Sequence, residues 1–143
     1  MPYVRIWIHV IWGTKRREKI ITQSLKPQLM KHIQENARLK EIHIDFMNMV
    51  QDHVHLLISL RPSQSISKVV QLLKGESSHW VNQNHLVHGK FEWQDDYIAL
   101  SVSESQVNRV RDYIRDQEAH HRKKTFSEEY EQFLLRLGFK DMG

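Results

Sequence analysis

The chain has 143 residues, 40% of them hydrophobic, which is enough to bury a core without cross-links, and it contains no cysteine. Disulfides and thiolate-held metals are therefore excluded, and Met1 to Val10 lacks the basic flank, long apolar stretch and small-residue cleavage site of a secretory leader. No run approaches the ~20 apolar residues of a membrane span, so the expectation is a single cytoplasmic domain over residues 1–143, whose net charge of +4 favours a phosphate-bearing partner.

Val4 to Trp12 alternates and is rich in β-branched and aromatic residues, so the first element reads as a strand. Gly13 to Lys19 follows as a basic loop in which Lys15, Arg16 and Arg17 are either solvated or in contact with phosphate. Leu25, Leu29, Ile33 and Ala37 then recur every four residues, with Ser24 able to cap and Pro27 in the tolerated first turn, which predicts an amphipathic helix. Ile42 to Val50 is a second extended run, Gln51-Asp52 has the length of a tight hairpin turn, and His53 to Leu60 is the third strand.

Arg61 to Ser65 breaks the sheet, after which Ile66, Val69, Val70, Leu73, Trp80 and Val81 mark a second helix, with Gly75 as a point of close packing. Asn82 to Lys90 reads as polar loop, and Phe91 to Val102 as a further strand, irregular at its start. A third helix starts near Ser103 with Val107, Val110 and Ile114 at core spacing, and a fourth around Ser127 to Leu137 carries Tyr130, Phe133, Leu134 and Leu137 on one side. Strand, helix, strand, strand, helix, strand is the split βαβ order. The expected fold is therefore α+β and ferredoxin-like: an antiparallel sheet with two helices on one face, the other face free for a site, and a C-terminal tyrosine-bearing helix.

Side chains alternate along a strand, so His53 and His55 share a face while Val54 and Leu56 form an apolar back. Two imidazoles held two residues apart on a rigid element can chelate one metal ion; the plainer reading is a half-buried strand with two surface histidines. Tyr113 and Gln117 stand one turn apart and project one above the other. Alone, Tyr113 reads as a core tyrosine and Gln117 as a surface residue. His120 to Lys124 is a basic helix end suited to the macrodipole or to a phosphate backbone. A histidine-triad hydrolase would need a third histidine where Leu57 stands, whereas a zinc hydrolase drawing on His9, His43 or His79 stays open.

Asp52-His53-Val54-His55-Leu56-Leu57-Ile58, followed by Tyr113-Ile114-Arg115-Asp116-Gln117, resembles the small single-tyrosine HUH transposases of bacterial insertion sequences. The similarity extends to His9-Val10-Ile11-Trp12-Gly13-Thr14-Lys15, to Trp93-Gln94 with Tyr97, to Ser101-Val102-Ser103, and to Gln117 through Lys123 with Phe126. Where many relatives carry glycine next to the aromatic after Trp-Gln, this chain has Asp96. The resemblance implies an enzyme that cleaves and rejoins single-stranded DNA through a 5′-phosphotyrosine. Tyr113 would be the nucleophile, and His53, His55 and Gln117 would hold a divalent ion, Mg²⁺ or Mn²⁺ in the family, with Zn²⁺ also compatible with these donors. It further implies DNA hairpins at mobile-element ends as the partner and a homodimer with composite sites. Lys15, Arg16, Arg17, His121, Arg122 and Lys123 are the candidate DNA contacts. The rival reading is a ferredoxin-like nucleic-acid-binding module without catalysis.

Overall fold

The computed structural model describes residues 2–121 and 124–136. Four strands, β1 (Ile6–Gly13), β2 (His43–Val50), β3 (His53–Leu60) and β4 (Ile98–Val102), pair antiparallel in the order β2-β3-β1-β4. Helices α1 (Leu25–Leu39) and α2 (Ile66–Gln83) form the two crossovers. This is the expected split βαβ sheet.

Register decides which side chains meet. Ile11 lies opposite His55, Gly13 opposite His53, and Asn48 of β2 opposite His55 from the other side. Trp7, His9, Ile11 and Gly13 consequently share a face with His53, His55 and Leu57, while Val10, Trp12, Val54, Leu56 and Ile58 share the reverse face. On that reverse face pack Leu25, Leu29, Ile33 and Ala37 of α1 and Val69, Val70, Leu73 and Val81 of α2, all buried. Removing each larger aliphatic side chain from water contributes roughly 1.5–3 kcal/mol, so this layer carries most of the hydrophobic stabilisation.

The opposite face is not open. Across it lie α3 (Val107–Arg115), α4 (Gln117–His121) and α5 (Phe126–Arg136). Val107 and Ile114 pack on Trp7 and Leu57, and Phe126 and Tyr130 pack on Ile11 and Ile98. Polar contacts set the pitch of α3: Arg111 donates from Nε and Nη2 to the two oxygens of Asp45 at 2.7 and 2.8 Å, beside the bulge in β2. Asn48 Nδ2 donates to the carbonyls of Ile114 and Arg115 at 3.0 and 3.1 Å, satisfying two acceptors at the helix end.

Three local readings change. The final strand is only five residues long, because Phe91 to Tyr97 pairs with the end of β1 only at one isolated bridge, Thr14 to Trp93, and is otherwise fixed by side chains: Asn82 accepts from Phe91 N and donates to Phe91 O, and Trp93 Nε1 donates to Ser77 Oγ at 2.8 Å. At Gly75 an added Cβ would meet nothing within 4 Å, so close packing is not its role. The first turn of α1 is capped by Thr22, whose Oγ1 accepts from Leu25 N at 3.1 Å, and not by Ser24. Among the described residues no helix is long and apolar enough to cross a membrane.

Candidate active site

His53 and His55 project from β3 into the layer under α3 to α5, and both are fully buried. Each is held through its Nδ1. Asp52 Oδ1 lies 2.8 Å from His53 Nδ1, and His9 Nε2 lies 2.9 Å from His55 Nδ1. Burial, and then the neighbouring His55, draw the pKa of His9 down to about 3, so His9 is neutral at physiological pH. The ring of His53 is further fixed by stacking on Phe126, 4.1 Å between centroids and 7° from parallel.

The remaining nitrogens converge. His53 Nε2 is 3.3 Å from Gln117 Oε1 and 3.6 Å from Glu129 Oε1, and His55 Nε2 is 3.3 Å from that same carboxylate oxygen. Tyr113 reaches the cluster from α3, its ring 5.7 Å from that of His55 and nearly edge-on, and its hydroxyl donates to Glu129 Oε2. Burial raises the phenol's pKa, and the hydrogen bond and charge of Glu129 raise it further. Burial would also raise that of Glu129, but hydrogen bonding and charge at His55, with the Tyr113 phenol, outweigh it and bring the carboxyl to about 2. The acid is therefore a carboxylate and the phenol is protonated.

Tyr113 and Gln117 were expected on one continuous helix. Instead the chain breaks at Asp116 (φ −91°, ψ 22°) between α3 and α4. Gln117 Nε2 nevertheless donates to Tyr113 O at 3.0 Å, preserving the one-turn relation and turning Oε1 toward His53. Tyr113, His53, His55 and Gln117 thus meet within a single chain.

The donor set can be tested against a divalent ion. Donors about 2.1 Å from one ion lie roughly 3.0–3.4 Å apart in octahedral or tetrahedral geometry, close to the separations of 3.3 to 3.6 Å measured here. The metal-ligating atoms of His53, His55 and Glu129 all lie within 4.8 Å of one another. Two imidazoles, a carboxylate and an amide oxygen fit Mn²⁺ or Zn²⁺ as well as Mg²⁺.

Of the candidate DNA contacts, Lys15 and Arg16 are exposed in a short turn, paired with Glu92 at 3.1 Å and Glu18 at 3.8 Å. Arg17 is engaged elsewhere: its guanidinium covers the rings of Phe126 and Tyr130 and donates to Ser127 Oγ at 3.0 Å, tying the turn to α5. His121 ends α4, but its side chain, like Arg122 and Lys123, lies outside the described residues. Beside Asp52 and Phe126 opens a cavity of about 280 Å³ lined also by Lys19 and Lys26.

Glu129 is the site residue that the sequence reading passed over. Its signal was a carboxylate at core spacing, between Phe126 and Phe133 on the apolar stripe of α5, where an acid is costly unless partnered.

A split βαβ sheet thus presents paired histidines to a tyrosine on a following helix, and comparison with known proteins places that arrangement among transposases. The family model described as "Transposase IS200 like" matches residues 2–117, and the chain belongs to that family. It is similar to the ISDra2 transposase TnpA of Deinococcus radiodurans, 29% identical over 114 residues that cover 76% of this chain and 81% of that one. The crystal structure of a candidate transposase from D. radiodurans R1 superposes with a TM-score of 0.62 at 27% identity, covering 82% of this chain and 95% of the other. A REP-associated tyrosine transposase bound to a REP hairpin shares the fold at 17% identity and a TM-score of 0.62, with 85% and 72% of the two chains covered.

Proposed function

We propose that this transposase-family chain cleaves and rejoins single-stranded DNA at insertion-sequence ends, with Tyr113 as the nucleophile and His53, His55 and Gln117 holding a divalent ion. The observation that carries the reading is the convergence of the Tyr113 hydroxyl and the His55 Nε2 on one carboxylate, inside one chain. That hydroxyl donates to a carboxylate whose other oxygen faces His53 and His55, which supports a role for the phenol at the histidine cluster.

In the reaction, Tyr113 Oη attacks a backbone phosphorus, an O–P bond forms, and the P–O3′ bond breaks to release a 3′-hydroxyl that takes up a proton. The phosphodiester energy is kept in the 5′-phosphotyrosine, so a 3′-hydroxyl can reverse the step at another end without a nucleotide cofactor. A bound divalent ion would polarise the phosphate and offset charge developing on it. Because the phenol is protonated, its proton must leave Oη before or during attack. The basic turn at Lys15 and Arg16, exposed at the surface, offers positive charge to the DNA backbone. A REP-associated tyrosine transposase of the same fold is bound to a REP hairpin; here hairpin-bearing DNA is the expected partner, and a homodimer with composite sites is part of the proposal.

Incubating the protein with single-stranded DNA from the flanks of its own gene, with Mg²⁺ or Mn²⁺, should give a covalent protein–DNA adduct on denaturing gels. Tyr113→Phe should abolish the adduct while leaving DNA binding within about twofold, since one hydroxyl is removed and no phosphate contact is lost. An adduct of undiminished yield in Tyr113→Phe would remove the nucleophile assignment, and binding without cleavage under any metal would favour the non-catalytic module.

A further inference from the structure

We infer that Glu129, which lies on α5 beyond the last residue of the family match, is a further ligand of the site's divalent ion and the residue that positions Tyr113. The inference rests on the metal-dependent reading above and adds to it a residue which that reading does not require. One carboxylate does both tasks: Oε1 faces the Nε2 atoms of His55 and His53 at 3.3 and 3.6 Å, while Oε2 accepts the Tyr113 hydroxyl. Glu129 is 6% exposed. A carboxylate so enclosed is destabilising unless something charged or hydrogen-bonding answers both oxygens, and the partners that do so are the two candidate ligands and the nucleophile.

The position of α5 is built into the chain. Thr125 Oγ1 accepts from Glu128 N at 3.2 Å, and Glu128 Oε1 accepts from Thr125 N at 3.4 Å, a reciprocal capping box that fixes where the helix starts. Phe126 stacks on His53, Tyr130 packs in the same cluster, and the Arg17 guanidinium lies over both rings. One turn after Phe126, these contacts leave Glu129 pointing at the histidines. The added carboxylate makes the donor set one acid and one amide oxygen with two imidazoles, and it lowers the net charge of the loaded site by one. It also links ion and nucleophile, so that the same side chain sets the distance between them.

The test is Mn²⁺ binding to the metal-free full chain, by titration calorimetry and by the rise in Tm that saturating Mn²⁺ produces. His53→Ala, Glu129→Gln and Glu129→Asp would be compared with the unmodified protein. Loss of a residue that merely orients a ligand typically weakens metal binding 10- to 100-fold, so Glu129→Gln should weaken Mn²⁺ binding by at least about tenfold, and Glu129→Asp, which keeps the charge, should recover part of it. Folding of each variant is read from its circular dichroism and Tm in chelator. If the unmodified protein and His53→Ala bind Mn²⁺ equally poorly, the metal-dependent reading itself falls, and this inference with it. If His53→Ala loses binding while Glu129→Gln keeps it, only the role of Glu129 is overturned. Tighter binding by Glu129→Gln would overturn it as well, making α5 an obstruction of the site.

Discussion

Each histidine of the pair has one nitrogen turned to the site and the other tied down, and the two ties differ. His53 leans on a carboxylate from the adjacent residue, Asp52, whereas His55 leans on another imidazole, His9, from the neighbouring strand. For His55 to offer the Nε2 lone pair to a cation, its proton must sit on Nδ1 and be donated to His9 Nε2. A neutral His9 can accept it and a protonated one cannot. Burial keeps His9 neutral. His9→Ala should therefore weaken Mn²⁺ binding by about 10- to 100-fold without touching any ligand, and His9→Gln, which retains an acceptor, should recover part of the loss. Calorimetric titration of the two variants checks this; equal affinity in His9→Ala and the unmodified protein would reduce His9 to a packing residue.

Among the elements, α5 depends on a space that β1 leaves for it. A Cβ at Gly13 would lie 2.5 Å from Phe126 Cε2, 2.9 Å from Gln94 Oε1 and 3.1 Å from the carbonyl oxygen of Asp52. The last of these is backbone and cannot swing aside. Gly13→Ala should cost about 1–3 kcal/mol by overpacking, and the strain should fall on α5, seen as a lower Tm and faster hydrogen exchange in Phe126–Arg136 than in α1. The elements themselves were legible because local patterns specify them. The four-residue spacing of Leu25, Leu29, Ile33 and Ala37 follows the face that α1 buries, and the alternation through His53 and His55 gives the side that β3 turns to the site. What local pattern could not give was the return of α5 across the supposedly free face. That docking is made by Gly13 and Arg17, far from α5 in sequence, and their part in it shows only when the strands are registered. Glu129 was missed for the same reason: its partners come from β3 and α3, and no spacing within α5 announces them.

Over the whole molecule, the modest excess of four positive charges has to be apportioned before it says anything about DNA. Arg17 is committed to packing against Phe126 and Tyr130. Among the described residues Lys15 and Arg16 pair with carboxylates that solvent reaches, Glu92 and Glu18, and such surface pairs contribute at most about 1 kcal/mol, so a phosphate can displace them. Three neighbouring cations in one turn should then behave in two ways. Lys15→Ala and Arg16→Ala should each lower affinity for unrelated single-stranded oligonucleotides to a similar degree, and each should flatten the slope of log K against log[salt] by about 0.7, the value for one released counterion on a single strand. Neither should change Tm by more than about 0.5 kcal/mol equivalent, as expected for surface substitutions. Arg17→Ala should do the reverse, lowering Tm by loosening α5 while leaving the salt slope near that of the unmodified protein. Binding isotherms at four or five salt concentrations, with a melting curve for each variant, separate the two behaviours. If all three substitutions flatten the slope alike, Arg17 reaches the phosphates as well, and the turn acts as one electrostatic unit.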